Sequence, residues 1–228
     1  MKLLTVTVSA FLISALAIGA EIPQPKAPGI ESGNYVWNEM KDEALLVLRT
    51  KGDAKRGAIT YKICHGCHKT GALGLVDGTY PRLAGQHDTV LIKELVDVRT
   101  GVRDNQKMYP FASEHGIELP EIADLAVYIS GLPTPPDNGL GDGTQLAMGK
   151  KLYDADCKRC HGDTGEGDGK KFYPKVSGQH YQYLKRQVSN IRDGVRRNAN
   201  PRMVKDIKNY TMQDIEAVSD YMSRLGRN

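Results

Sequence analysis

Apolar residues along this chain recur at three- and four-residue intervals, the spacing of one buried stripe on a helix. Six segments follow the pattern: Ala54 to Ile63, His87 to Arg99, Pro120 to Leu132, Thr144 to Ala155, His180 to Arg192 and Thr211 to Leu225. Val90, Leu91 and Leu95 mark the inner face of the second, and Ile122, Leu125, Ala126 and Ile129 that of the third. Thr211 is placed to cap the last helix through its hydroxyl. A further amphipathic helix is predicted over Asn34 to Arg49, with Trp37, Met40, Leu45 and Leu48 apolar. No run alternates with period two for long enough to make a sheet, so the expected fold is all-α.

The first residues follow another pattern. Lys2 precedes an uncharged apolar run from Leu3 to Ala20, with small residues at its end. These are the parts of a secretory signal, assigned to residues 1–20, with Ala15-Leu16-Ala17 and Ala20 as candidate cleavage positions. The competing reading is an uncleaved anchor, since about 18 apolar residues can just span a bilayer. Either reading exports the remainder.

The body of the chain is a duplication. An offset of 93 carries Cys64 to Cys157, Tyr80-Pro81 to Tyr173-Pro174, and Gly85-Gln86-His87 to Gly178-Gln179-His180. The same offset carries Gly101, Val102, Arg103 and Asn105 to Gly194, Val195, Arg196 and Asn198, and Ile122, Tyr128 and Leu132 to Ile215, Tyr221 and Leu225. Pro-rich then Gly-rich sequence from Leu132 to Gly143 reads as a linker, stiff first and flexible after. The expected organisation is an N-terminal extension over residues 21–52, one domain over 53–136 and a second over 137–228.

Composition sharpens this. The 228 residues are 40% hydrophobic and 25% charged, which excludes a disordered chain and a multi-span membrane protein. A formal charge of +4 without any Lys/Arg tract gives no support to nucleic-acid binding. Three Phe and one Trp are few for two cores, so a large apolar group of another kind is expected at each centre. The four cysteines supply it. Export alone would favour disulfides. Instead, Cys64-His65-Gly66-Cys67-His68 and Cys157-Lys158-Arg159-Cys160-His161 are two copies of Cys-x-x-Cys-His and use every cysteine. Two thiols add to the two vinyl groups of one haem, and the adjacent histidine, His68 or His161, sits under the iron. Two covalent haem c groups are expected.

A second axial ligand must occur in both copies. Among seven methionines, Met108 and Met203 both follow Gly-Val-Arg and precede the last helix of their copy, on a loop that can fold back over the haem. The rival pair is His87 and His180, each 19 residues beyond its motif histidine. His65 lies inside its motif and cannot reach the iron, and His115 has no counterpart, which makes it a surface residue.

The paired haem motifs, Tyr80-Pro-Arg-Leu-Ala-Gly-Gln-His87, Gly-x-Arg-x-Asn and the following methionine resemble the dihaem cytochrome c4 family, c-type cytochromes with tandem class I domains. That resemblance implies two cytochrome c folds related by a pseudo-twofold axis, with haem propionates close together between them. It implies His68/Met108 and His161/Met203 ligation, and backbone carbonyls of Pro81 and Pro174 accepting from the proximal imidazoles. It also implies periplasmic single-electron transfer between redox protein partners: a dehydrogenase or quinol-oxidising complex as donor and a terminal oxidase as acceptor, with a membrane-bound oxidase or reductase as a candidate. The chain departs from the pattern in Val176-Ser177 for Leu83-Ala84, in lacking a proline before Met108, and in its longer N-terminal segment.

Charge is unevenly distributed. Residues 21–138 hold 13 basic and 16 acidic side chains, and residues 139–228 hold 17 and 11. A basic second half, with Lys170, Lys171 and Arg197, is expected to dock an acidic partner. With both irons saturated, no small-molecule substrate and no enzyme activity are expected. Two readings compete with a free carrier: the dedicated electron-accepting subunit of an exported dehydrogenase, and a dihaem peroxidase-type enzyme, which would need an open iron.

Overall fold

The computed structural model describes residues 23–226, and the predicted export segment lies outside them. Among the described residues the regular structure is helical, with one isolated bridge between Asp168 and Tyr173. The helices are α1 (Asp42–Arg49), α2 (Ala54–Thr60), α3 (His65–His68), α4 (Asp88–Thr100), α5 (Tyr109–Ala112), α6 (Leu119–Ser130), α7 (Leu146–Leu152), α8 (Lys158–His161), α9 (Tyr181–Arg192), α10 (Pro201–Ile207) and α11 (Met212–Arg224). All six predicted segments carry a helix. Thr211 caps α11 in a reciprocal box with Asp214, and Glu118 with Glu121 does the same for α6.

The two halves are built alike. α2 and α4 pack on α6, and α7 and α9 pack on α11. Each half has its own apolar core, Leu91, Ile92, Val96, Ile122 and Leu125 in the first and Leu184, Val188, Ile191, Ile215 and Val218 in the second. Where the first and last helices of each half meet, the crossing residue is glycine. A Cβ at Gly57 would strike the Asp124 carbonyl, and one at Gly149 the Ala217 carbonyl. Buried aspartates on α6 and α11 fasten the chain that enters each half. Asp124 takes Asp53 N–H and the Arg56 guanidinium, while Asp220 takes Gly141 N–H, Gly143 N–H and Arg224.

Gly57 and Gly149 are 92 apart, not 93, and the structure shows where the difference is absorbed. Before Cys64 the chain makes a 3₁₀ turn over Tyr61–Ile63, whereas before Cys157 it makes a π turn over Tyr153–Cys157. The wider turn takes up one extra residue without shifting the haem motif.

Two sequence expectations are corrected. The helix predicted over Asn34 to Arg49 is confined to Asp42–Arg49. The Asn34–Lys41 stretch is irregular, and its tryptophan serves a contact elsewhere. Trp37 leaves the first half to stack on Tyr173, with ring centres 5.5 Å apart and planes 14° from parallel, while the Lys93 ammonium sits over its ring. The Gly-rich end of the linker is also no free tether. Asn138 is buried and donates to Gln179 O and Ser223 O, and Tyr181 N–H reaches Gly139 O at 2.8 Å.

The halves join by an exchange that nearly repeats itself. Gln86 donates to Lys175 O and accepts Lys175 N–H, both at 2.9 Å. Gln179 donates to Arg82 O at 2.8 Å and accepts Arg82 N–H at 3.0 Å. Arg82 and Lys175 are themselves 93 apart, so the pairing is isologous, as between two subunits of a symmetric dimer. Symmetry breaks at Glu94, whose carboxylate takes both Arg103 and Arg196 at 2.6 Å, with Asn198 at 3.0 Å. Burial alone would raise the Glu94 pKa, but Arg196, Arg103 and Lys93 outweigh it and hold the group well below the carboxylate range.

The glycine crossings generate a prediction. An exposed helical Gly→Ala change usually stabilises by up to about 1 kcal/mol. Gly57→Ala and Gly149→Ala should each instead destabilise by about 2 kcal/mol through overpacking. Denaturant unfolding of the holoprotein checks this, with Gly33→Ala, which has no neighbour within 4 Å, as the near-neutral comparison.

Candidate haem-binding sites

In the first half a single turn of helix carries the chemistry. Cys67 N–H and His68 N–H both reach Cys64 O, at 3.2 and 2.9 Å, so two thiols and one imidazole leave one turn of backbone. Tyr61 braces the end of that turn, its hydroxyl donating to Lys69 O at 2.9 Å. Gly74 N–H then returns to His68 O at 2.9 Å. Gly74 sits at φ +68 beneath Tyr80-Pro81, where a Cβ would meet both of their carbonyls. The loop so folded aims Pro81 O at the His68 ring, and Nδ1–H donates to it at 3.4 Å.

The second half repeats every part. Tyr153 donates to Gly162 O at 2.8 Å, Gly167 N–H bonds His161 O at 2.8 Å, and His161 Nδ1–H donates to Pro174 O at 2.8 Å. Tyr153 stands four residues before Cys157 and Tyr61 three before Cys64, yet both hydroxyls reach the residue just after the motif histidine. The π turn makes that equivalence. Tyr61, Tyr153, Gly74 and Gly167 were not singled out from the sequence. Gly74 and Gly167 share the 93 offset and could have been, whereas the tyrosines are one residue out of register.

Burial lowers the pKa of both His68 and His161, against the raising effect of the proline carbonyls. With Nδ1–H committed to a carbonyl, each neutral ring presents its Nε2 lone pair. Burial also pushes the Cys64 thiol up to about 11 and Cys157 up to about 12, so both are protonated at neutral pH when unattached. None of the four cysteines, all among the described residues, is in a disulfide. Two free thiols and one oriented imidazole per half are the donor set that covalent haem c requires, and the residues fit the group.

Met108 and Met203 are both half-buried, and only Met203 departs from the expected loop placement. Met203 lies inside α10 rather than on a loop, and it packs on the same core as Cys157. Met108 is the N-cap residue of α5 and packs with Val98, Tyr109 and Ala112. Leu95 joins that cluster to the core that Cys64 touches.

The rival pair has another use. His180 is 1% exposed, donates from Nε2 to Leu73 O at 2.7 Å and accepts Gly139 N–H at Nδ1, so both nitrogens are taken. His87 donates to Glu166 O at 2.8 Å. Leu73 and Glu166 are 93 apart, so each histidine reaches the same position in the opposite half. The repeated Gly-Gln-His segments are thus the joint between halves. His65 bonds Thr70, and His115 stands exposed beside Glu114. Arg197, expected on a docking surface, is 12% exposed and tied to Glu31, whereas Lys170 and Lys171 are exposed.

Comparison with known proteins agrees with this geometry. The cytochrome c family model matches residues 146–226. Cytochrome c4 of Azotobacter vinelandii is 30% identical over 191 residues, spanning 76% of this chain and 90% of that one. The chain belongs to the cytochrome c4 family. A thiosulfate dehydrogenase electron acceptor of Stutzerimonas stutzeri is 31% identical, spanning 79% of this chain and 85% of that protein. The crystal structure of reduced cytochrome c4 from Pseudomonas stutzeri superposes with a TM-score of 0.67 at 27% identity, covering 76% of this chain and 99% of that one. As a cytochrome c4 this protein is an electron-transfer cytochrome with two covalently bound haem c groups and redox partners.

The joint between halves carries a pH dependence. Burial lowers the His180 pKa below its ordinary 6.5, against the raising effect of Leu73 O. The unfolded chain therefore takes up the proton first as pH falls. Stability held above pH 6.5 should be lost progressively as pH falls below it, as an earlier denaturant midpoint. His180→Gln should flatten that slope.

Proposed function

We propose that this cytochrome c4 is a periplasmic dihaem carrier that takes single electrons from a dehydrogenase or quinol-oxidising complex and passes them to an acceptor such as a terminal oxidase. The observation that carries the reading is the duplicated bond from His68 to Pro81 O and from His161 to Pro174 O, which leaves one oriented imidazole lone pair in each half. Cys64, Cys67, His68 and Met108 would hold the first haem, and Cys157, Cys160, His161 and Met203 the second. When bound, each haem supplies a one-electron iron couple.

The remaining work is done by the chain. Pro81 and Pro174 fix the ring tautomer and make the imidazoles better donors. A thioether as the sixth ligand favours the reduced iron more than a second imidazole would. Two protein ligands per iron leave no coordination position for a substrate, which makes the protein a carrier rather than an enzyme. In this reading residues 1–20 are an export signal, residues 21–52 an extension, and 53–136 and 137–228 the two haem domains. Among the described residues no helix is long and apolar enough to cross a membrane.

The likeness to a thiosulfate dehydrogenase electron acceptor favours one variant of the scheme, in which the protein serves a single exported dehydrogenase. Co-purification of a stable complex from the native source separates that variant from a free carrier.

The ligand set is tested by the weak near-red absorption band that methionine sulfur gives to ferric haem. Wild type should show it at two-haem strength, and Met108→Ala and Met203→Ala should each remove about half. A missing or half-strength band in wild type means a different ligand or an open iron in at least one half.

A further inference from the structure

Residues 24–31 cross the seam between the halves and touch, on both sides, the chain that leads to a methionine. Gln24 makes three hydrogen bonds, one to the last turn of α4 and two to the stretch between α4 and Met108. Its Nε2 donates to Val98 O at 2.7 Å and Arg103 O at 2.8 Å, and its Oε1 accepts Asn105 N–H at 2.8 Å. Asn105 in turn receives Met108 N–H on its backbone carbonyl at 3.0 Å and on its side chain at 3.3 Å. One side chain therefore stands two hydrogen bonds from the Met108 backbone. Ala27 N–H adds a bond to Gly101 O at 3.2 Å.

On the other side the contact is made at Arg197. Ile30 N–H bonds Arg197 O at 2.9 Å, and Ile30 packs on the core that also holds Met203. The Arg197 guanidinium pairs with Glu31 and donates to Ala27 O at 2.5 Å and Gly101 O at 3.2 Å. Glu31 is held down at about 2 by that guanidinium. Asn198 is 1% exposed, and Asn200 caps α10 through Arg202 N–H, so a short, pinned path leads from Arg197 to Met203.

We propose that residues 24–31 form a strap that keeps both methionine-bearing segments seated, with Gln24 positioning Met108 and the Glu31–Arg197 pair positioning Met203. The proposal rests on the reading of Met108 and Met203 as iron ligands. A thioether is a weak ligand, and an added ligand competes with it in proportion to the time the methionine spends away from the iron. Bonds that restrain the approach segment lower that population without touching the iron.

The test is a titration of the ferric holoprotein with imidazole, following the methionine band. Displacement from two haems resolves into two steps, and Met203→Ala identifies the step that belongs to Met108. Gln24→Ala should move the Met108 step to about tenfold lower imidazole and leave the other in place. Gln24→Glu, which keeps the acceptor for Asn105 N–H, should recover part of the shift. Glu31→Ala should move the Met203 step instead. Unchanged titrations, or equal movement of both steps in Gln24→Ala, overturn the strap. A wild-type protein with no band overturns the ligand reading, and the strap falls with it. Because the unmoved step reports an intact half in the same molecule, general unfolding is distinguished from loss of the strap.

Discussion

Two thiols and one imidazole have to leave a single helical turn in fixed directions, and most of each half is arranged around that requirement. The turn is too short to hold itself, since four residues close almost no internal hydrogen bonds. It is held from outside: by a tyrosine hydroxyl at its end, by a glycine amide on the histidine carbonyl, and by a proline carbonyl on the imidazole. These three supports recur in both halves, the tyrosine and glycine bonds at 2.8–2.9 Å in each and the histidine bond longer in the first half, 3.4 against 2.8 Å. The π turn before Cys157 shows how strongly the arrangement is constrained. An extra residue upstream was accommodated by widening the backbone locally, and the tyrosine bond survived.

The same repetition builds the joint. Glutamine and histidine side chains from each half bond backbone groups of the other, and their partners are related by the internal repeat. Directional bonds to backbone fix the relative placement of two small cores more tightly than apolar contact would. The symmetry is broken at one place: Glu94 serves both Arg103 and Arg196, and position 187, its counterpart, is an uncharged glutamine that accepts from Arg196. The acidic balance of the first half and the basic balance of the second thus partly reflect an internal pairing. Arg197, which adds to the basic count, is covered by Glu31.

Much of this was legible in the residues alone. The haem motifs, the internal repeat, the six main helices and the cap at Thr211 follow from local spacing and local hydrogen bonding, which the order of residues determines directly. The use of Gly-Gln-His at a joint was visible only as an unexplained repetition. A side chain that bonds backbone in another domain leaves no periodic trace.

The N-terminal extension marks the boundary most clearly. Its amphipathic spacing predicts a helix from Asn34. The chain is irregular as far as Lys41, and Trp37 stacks on Tyr173 of the other half instead of lying on a helical face. In the same way Arg197 reads as a free surface charge until the strap is seen lying over it. Sequence determined the chemistry and the helices, since both depend on neighbours along the chain. Tertiary structure alone decided which polar side chains face water and which join the halves, because that depends on partners some 70 to 170 residues away.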